Sequence, residues 1–343
     1  MKIITIASNV EGNIDGIGKH ARILTEEYIR RGHDAFIIDG ITWNKSTIGK
    51  LFSLEMTKCI FKTSSIVTKD KTDLVIYEYP FAEFNPFIIL PIIWLYFVTR
   101  FTNTKIALSM HEFDRVNFLR KCIIFIFLVF SDVVYVSETK YIERFKLFAN
   151  KMYHRTIPNH IVRPSFEKNI DKTKYTYFGL INRAKAFQEM IDAWNEFNKE
   201  GKYQLDVITC SDYSQWDNEQ NKNISFHFDL PGDEVASILY KSAFTLIPVI
   251  PNIGLNNSSF MSGIQCGCVP IGIFNETVLH NNFIINQIDY SLDNYLSVLE
   301  STQELDDMTL KTMSDDAMKF GSPYTVENTV SMMLSAFRND QKQ

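Results

Sequence analysis

Residues 3–7 form a short apolar run, the pattern of a strand buried on both faces. A polar turn, 8–18, leads into a helix whose apolar positions Ile17, Ala21, Leu24 and Tyr28 share one face. Gly32 ends that helix, and residues 35–39 read as a second strand. Further strands are predicted at 73–77, 105–110 and 133–136, with strongly apolar helices at 86–98 and 119–130 between them. Strand and helix thus alternate, as in a parallel sheet covered on both faces.

The alternation then restarts. Strands are predicted at 153–157, 175–179, 205–209, 224–228, 244–247 and 269–274, and helices at 187–197, 233–241 and 260–266. The polar segment 165–174 reads as a linker, 275–324 only as polar and acidic, and 326–337 as a closing amphipathic helix. The expected fold is α/β: two Rossmann-like domains, 1–164 and 165–324, with the C-terminal helix 325–343 packing back on the first. Two such sheets would face each other across a deep cleft at the carboxyl ends of their strands, where ligands of these folds bind.

Composition narrows the function. With 45% hydrophobic and 22% charged residues in 343, the chain is globular and long enough for two cores. A net charge of −5 argues against a nucleic-acid partner. The charge is uneven, however. Residues 1–160 carry 21 Lys and Arg against 16 Asp and Glu, and residues 161–343 carry 14 against 24. The first half therefore suits an anionic partner. Five scattered cysteines give no disulfide framework, and Cys266 and Cys268 lack the further ligands of a zinc site. No signal peptide opens the chain, so cytoplasmic residence is expected. The longest apolar run, 86–98, falls short of the ~20 residues that span a bilayer.

Candidate chemistry concentrates in 244–274. There a strand runs into a polar turn, Gly254 to Ser259, and then into a short helix. Asn257, Ser258 and Ser259 suit an N-cap, and the same helix end suits a diphosphate. Arg183 and Lys185 follow the strand ending at Gly179, where a fork and a point charge suit the same anion. His111 closes the strand 106–110 at its carboxyl end. The segment 12–20, with Asp15, Gly16, Ile17 and Gly18, matches neither a P-loop nor a dinucleotide fingerprint. It keeps a glycine turn at a helix start that can approach a phosphate or sugar. No metal-binding triplet is evident, and no metal is expected.

These segments, in this order, resemble the retaining GT-B glycosyltransferases that build bacterial capsule, O-antigen and exopolysaccharide. DGIGKHARILTEEYIRRGHDAFIID (15–39) resembles their opening loop and helix, LSMHEFDR (108–115) the strand ending in the cleft histidine, and DVVYVSE (132–138) with IPNHIV (157–162) the approach to the crossover. YFGLINRAKAFQEMIDAW (177–194) resembles the element carrying the donor-phosphate cations, and FDLPGDEVASILYKSAFTLIPV (228–249) with the stretch after it the donor-binding end.

The resemblance implies a hexosyltransferase that uses no cofactor and no metal. Its donor would be a nucleotide-diphosphate sugar, with UDP favoured. His111, Arg183 and Lys185 would be catalytic. Asn257, Ser258, Ser259, Gly254, Ser262 and Phe228 would lie at the donor, and Asp15 to Gly18 at the acceptor or phosphate. The acceptor would be a saccharide on a polyprenyl diphosphate, met at the inner face of the membrane. The apolar runs 86–98 and 122–130 suit either core helices or contact with that surface. Two departures stand out: Leu180 where the family has Arg, and Gly254 and Ser262 where it has glutamates. They keep open a catalytically weak relative that partners an active transferase. A nucleotide-sugar epimerase of the same fold is a further alternative.

Overall fold

A computed structural model of the chain describes residues 1–8, 16–39, 55–80, 88–111, 113–114, 116–156, 168–182, 185–217 and 223–340. The chain divides into two compact units, Met1–Pro158 with Val326–Gln343, and Asn159–Thr325.

The first unit runs β1 (Lys2–Ala7), α1 (Gly16–Arg30), β2 (Asp34–Asp39), α2 (Glu55–Lys69), β3 (Leu74–Tyr79), α3 (Ile89–Thr102), β4 (Lys105–Met110), α4 (Phe118–Phe130), β5 (Val133–Val136), α5 (Lys140–Arg144), a 3-10 turn (Lys146–Lys151) and β6 (Met152–His154). Its strands form one parallel sheet in the order β2-β1-β3-β4-β5-β6. Alternate residues feed two cores. Ile3, Ile76 and Tyr135 pack on one face, and Ile4, Tyr77 and Leu108 on the other beneath α2, α3 and α4. Both faces are covered, which is why these strands read as continuous apolar runs.

The second unit runs β7 (Asp171–Phe178), α6 (Phe187–Phe197), β8 (Gln204–Thr209), β9 (Ile224–Phe228), α7 (Gly232–Lys241), β10 (Ser242–Ile247), α8 (Ser258–Gln265), β11 (Val269–Gly272), β12 (Ile285–Asn286), α9 (Leu292–Glu304) and α10 (Asp307–Gly321). Its parallel sheet has the order β12-β11-β10-β7-β8-β9. The last helix, α11 (Val326–Asp340), belongs to the first unit. Val330, Met333 and Phe337 pack with Leu24 and Tyr28 of α1, and Tyr135 Oη donates to the Met333 carbonyl at 2.9 Å.

Several expectations need correction. Asp171 to Lys174, read as linker, is the start of β7. Its backbone pairs with β10 and β8, and such pairing does not depend on apolar side chains. Gly16, Ile17 and Gly18, read as the end of a loop, are the first turn of α1. The helices α2, α5, α9 and α10 and the short strand β12 have no counterpart among the expected elements. In α9 and α10 the buried positions mix polar and apolar residues (Tyr295, Leu299 and Thr302; Leu310, Ser314 and Ala317), which blurs the helical period. Their caps were legible: the Ser291 side chain accepts from Asn294 N, and that of Asp306 from Thr309 N. No helix among the described residues is long and apolar enough to cross a membrane.

Candidate functional site

In the second unit the strand order reverses between β7 and β10, so their carboxyl ends open a crevice. Gly179 follows β7 there with φ +143°, a conformation few other residues adopt. A Cβ on Gly179 would lie 2.8 Å from Ser259 Oγ and 3.0 Å from Lys185 Nζ. Three segments therefore meet at one point: the end of β7, the loop carrying Lys185 and the first turn of α8. Backbone bonds fix that loop. Lys185 bridges Val249 in antiparallel fashion, and Ala186 N donates to the Pro248 carbonyl at 2.8 Å.

Lys185 Nζ lies over the Tyr177 ring, 5.3 Å from its centroid, and among the described residues no carboxylate pairs with it. Burial pushes its ammonium down to about 8. Asn257 caps α8, its side chain accepting from Phe260 N at 2.9 Å. The N–H groups of Ser258 and Ser259 stand in the first turn, where a helix supplies no acceptor of its own. A half-buried cation and a helix N-terminus at the end of β7 can hold a diphosphate.

The other expected donor residues lie apart from this point. The backbone of Gly254 is buried, with its carbonyl accepting from Asn257 N and its Cβ position filled by Asn275 Nδ2. Ser262 is fully buried inside α8. Phe228 ends β9, the far edge strand, with its ring exposed near Tyr213. Arg183 and Asp15 lie outside the described residues.

In the first unit His111 sits just past the end of β4, within a buried charge cluster that the sequence did not reveal. Its Nε2 lies 2.6 Å from Glu78 Oε2, which also accepts from Ser109 Oγ at 2.5 Å. Glu78 and Ser109 are register partners on β3 and β4. Arg155, fully buried beyond β6, donates to Ser109 Oγ at 2.8 Å and stands 3.9 Å from Glu78 Oε2. His20, on α1, packs edge-on to His111 at 4.7 Å between ring centroids. Its Nε2 lies 3.9 Å from Glu78 Oε2.

Burial opposes ionisation of Glu78. The hydrogen bond from His111 and the positive charge of Arg155 outweigh it and hold the carboxyl at about 2. Burial, helped by the Arg155 charge, drives His20 well below its usual range. An ionised Glu78 makes His111 Nε2 the protonated nitrogen of its ring. His20, Glu78 and His111 offer three ligand atoms within 4.8 Å of one another. However, the Arg155 guanidinium lies 3.3 Å from His111 Nε2 and already balances Glu78, so the cluster fits a salt-bridged network better than a cation site. One available signal was a carboxylate inside the otherwise apolar β3, where every residue is buried.

No family model matches the chain, and no curated protein matches it in sequence. Solved structures match it in fold. Anabaena Alr3699/HepE in complex with UDP and glucose superposes with a TM-score of 0.66 at 10% identity, over 99% of this chain and 100% of that one. An alpha-glucosyltransferase in complex with UDP and a 13-mer DNA containing an HMU base gives 0.65 at 13% identity, over 98% and 99%. The HepE complex with UDP-glucose gives 0.66 at 10%, over 98% and 100%. At these identities the likeness establishes the fold, which is GT-B.

Proposed function

We propose that the chain is a glycosyltransferase that takes a sugar from a nucleotide-diphosphate donor, with UDP the favoured nucleotide. The observation that carries this reading is the meeting of Lys185 Nζ and Ser259 Oγ at Gly179, on the switch point of the second sheet. Neighbours of the same fold were solved with UDP or UDP-glucose. Breaking the sugar–phosphate bond leaves negative charge on the β-phosphate. Lys185, Arg183 and the N–H groups of Ser258 and Ser259 meet that charge without a metal. Losing one such preorganised donor costs about 3 kcal/mol of barrier.

We assign His111, in the ring form that Glu78 fixes, to the sugar, and the start of α1, Gly16 to Gly18, to the acceptor. Transfer proceeds with retention, the acceptor hydroxyl attacking the face that the diphosphate leaves. The acceptor is a saccharide on a polyprenyl diphosphate, in the synthesis of a bacterial surface polysaccharide.

Calorimetry with nucleotides, followed by transfer assays with a panel of nucleotide sugars, tests this. Acceptors should include lipid-linked saccharides, free saccharides and duplex DNA. UDP binding with turnover on a saccharide supports the reading. The absence of any nucleotide binding overturns it. Binding without transfer to any acceptor favours the catalytically weak partner, which the absence of side-chain carboxylates at Gly254 and Ser262 would explain.

A further inference from the structure

The helices α3 and α4, which carry the two apolar runs, are each half core and half surface. On α3, Ile92, Leu95 and Val98 are buried, whereas Leu90, Trp94, Phe97 and Phe101 recur along the opposite face and are exposed. Phe101 is 88% exposed. On α4, Ile124, Phe127 and Leu128 are buried, whereas Phe118, Leu119, Phe125 and Val129 are exposed, Phe118 at 77%. Tyr96 and Phe130 join the helices with ring centroids 5.0 Å apart. Soluble chains rarely leave so many large apolar side chains on adjoining elements uncovered.

Charge identifies the occupant. The two helices carry Arg100, Arg120 and Lys121 and no carboxylate. Arg100 also meets Asp132 at 2.7 Å, at the end of the pair. A second copy laid face to face would bring Arg120 and Lys121 no acidic side chain from either helix to answer them. Anionic lipid headgroups answer them directly. Helices of 14 and 13 residues rise only ~20 Å, too short to cross a ~30 Å hydrocarbon core.

We infer that the outer faces of α3 and α4 together dock on an anionic lipid bilayer. Trp94, Phe97, Phe101 and Phe118 enter the boundary between headgroups and acyl chains, and Arg120 and Lys121 meet the lipid phosphates. The inference stands on this face alone. It would bring the protein to the surface where a lipid-linked acceptor resides, but its test does not depend on finding transfer.

The test is co-sedimentation of the full chain with phosphatidylcholine vesicles, with and without phosphatidylglycerol. Binding should require the anionic lipid and weaken as salt rises. The surface variant Phe97→Ser/Phe101→Ser should bind about tenfold less while keeping its circular dichroism and thermal transition. Arg120→Ser/Lys121→Ser should lose most of the salt dependence. The proposal is overturned if neither vesicle binds, or if the Phe97/Phe101 variant binds as the parent does. Self-association that vanishes in that variant would assign the face to a second copy and overturn it equally.

Discussion

Glu78 Oε2 lies 2.6 Å from His111 Nε2, a residue 33 positions away in sequence at the end of the neighbouring strand, and buried Arg155 stands 3.9 Å from the same oxygen. The carboxylate thus balances a guanidinium that has no access to water. Glu78→Gln should destabilise the chain by about 3–5 kcal/mol, because it leaves Arg155 buried without its counter-charge. Denaturant unfolding measures this. Glu78→Gln/Arg155→Met should recover at least half of the loss, and a double variant no more stable than the single would refute the pairing.

The pH dependence of stability has a defined sign. His20 is neutral in the folded chain, with its pKa well below 6.5, whereas the unfolded chain takes up a proton as pH falls through 6.5. Glu78, held at about 2, adds a second loss below the usual carboxylate range, as the unfolded state protonates first. Stability should therefore fall as pH drops below about 6.5, by about 1.4 kcal/mol per pH unit for each proton taken up. His20→Gln should remove one proton's share of that slope. His33 and His154, also depressed, keep the remainder. Unfolding curves at a series of pH values give the slope, and an unchanged slope in His20→Gln would show that His20 is not the group titrating.

Lys185 is a cation at neutral pH, with a pKa of about 8. Affinity for UDP, and kcat/KM for the donor, should fall as pH rises through about 8, where the ammonium loses its proton. Lys185→Arg should move that limb upward by more than one unit, since guanidinium stays charged. Lys185→Ala should lower kcat by about a hundredfold without unfolding the chain. Near-normal turnover in that variant would remove Lys185 from the phosphate site.

Gly179→Ala is the sharpest probe of the meeting point. Its methyl would press on Ser259 Oγ and Lys185 Nζ at a φ of +143°. The expected cost is about 1–3 kcal/mol of stability, with a larger loss of nucleotide affinity than of stability. Calorimetry with UDP, set beside thermal unfolding, separates the two. Wild-type affinity in a folded Gly179→Ala protein would mean that the diphosphate binds elsewhere.

The alternation of strands and helices is legible along the chain, because strands of a parallel sheet buried on both faces must be apolar throughout. The sequence also marked Asn257 as a helix cap and set Lys185 six residues past Gly179, since caps and strand ends are written locally. It could not show that Lys185 and Ser259 close on Gly179, nor that His20, Glu78, His111 and Arg155 share one buried cluster. Those residues come from α1, β3, the end of β4 and the segment beyond β6, and only the sheet order brings them together. The apolar runs of α3 and α4 make the same point from the other side. Hydrophobicity alone gave two readings, and only packing decided which half of each helix is core and which is left facing outward.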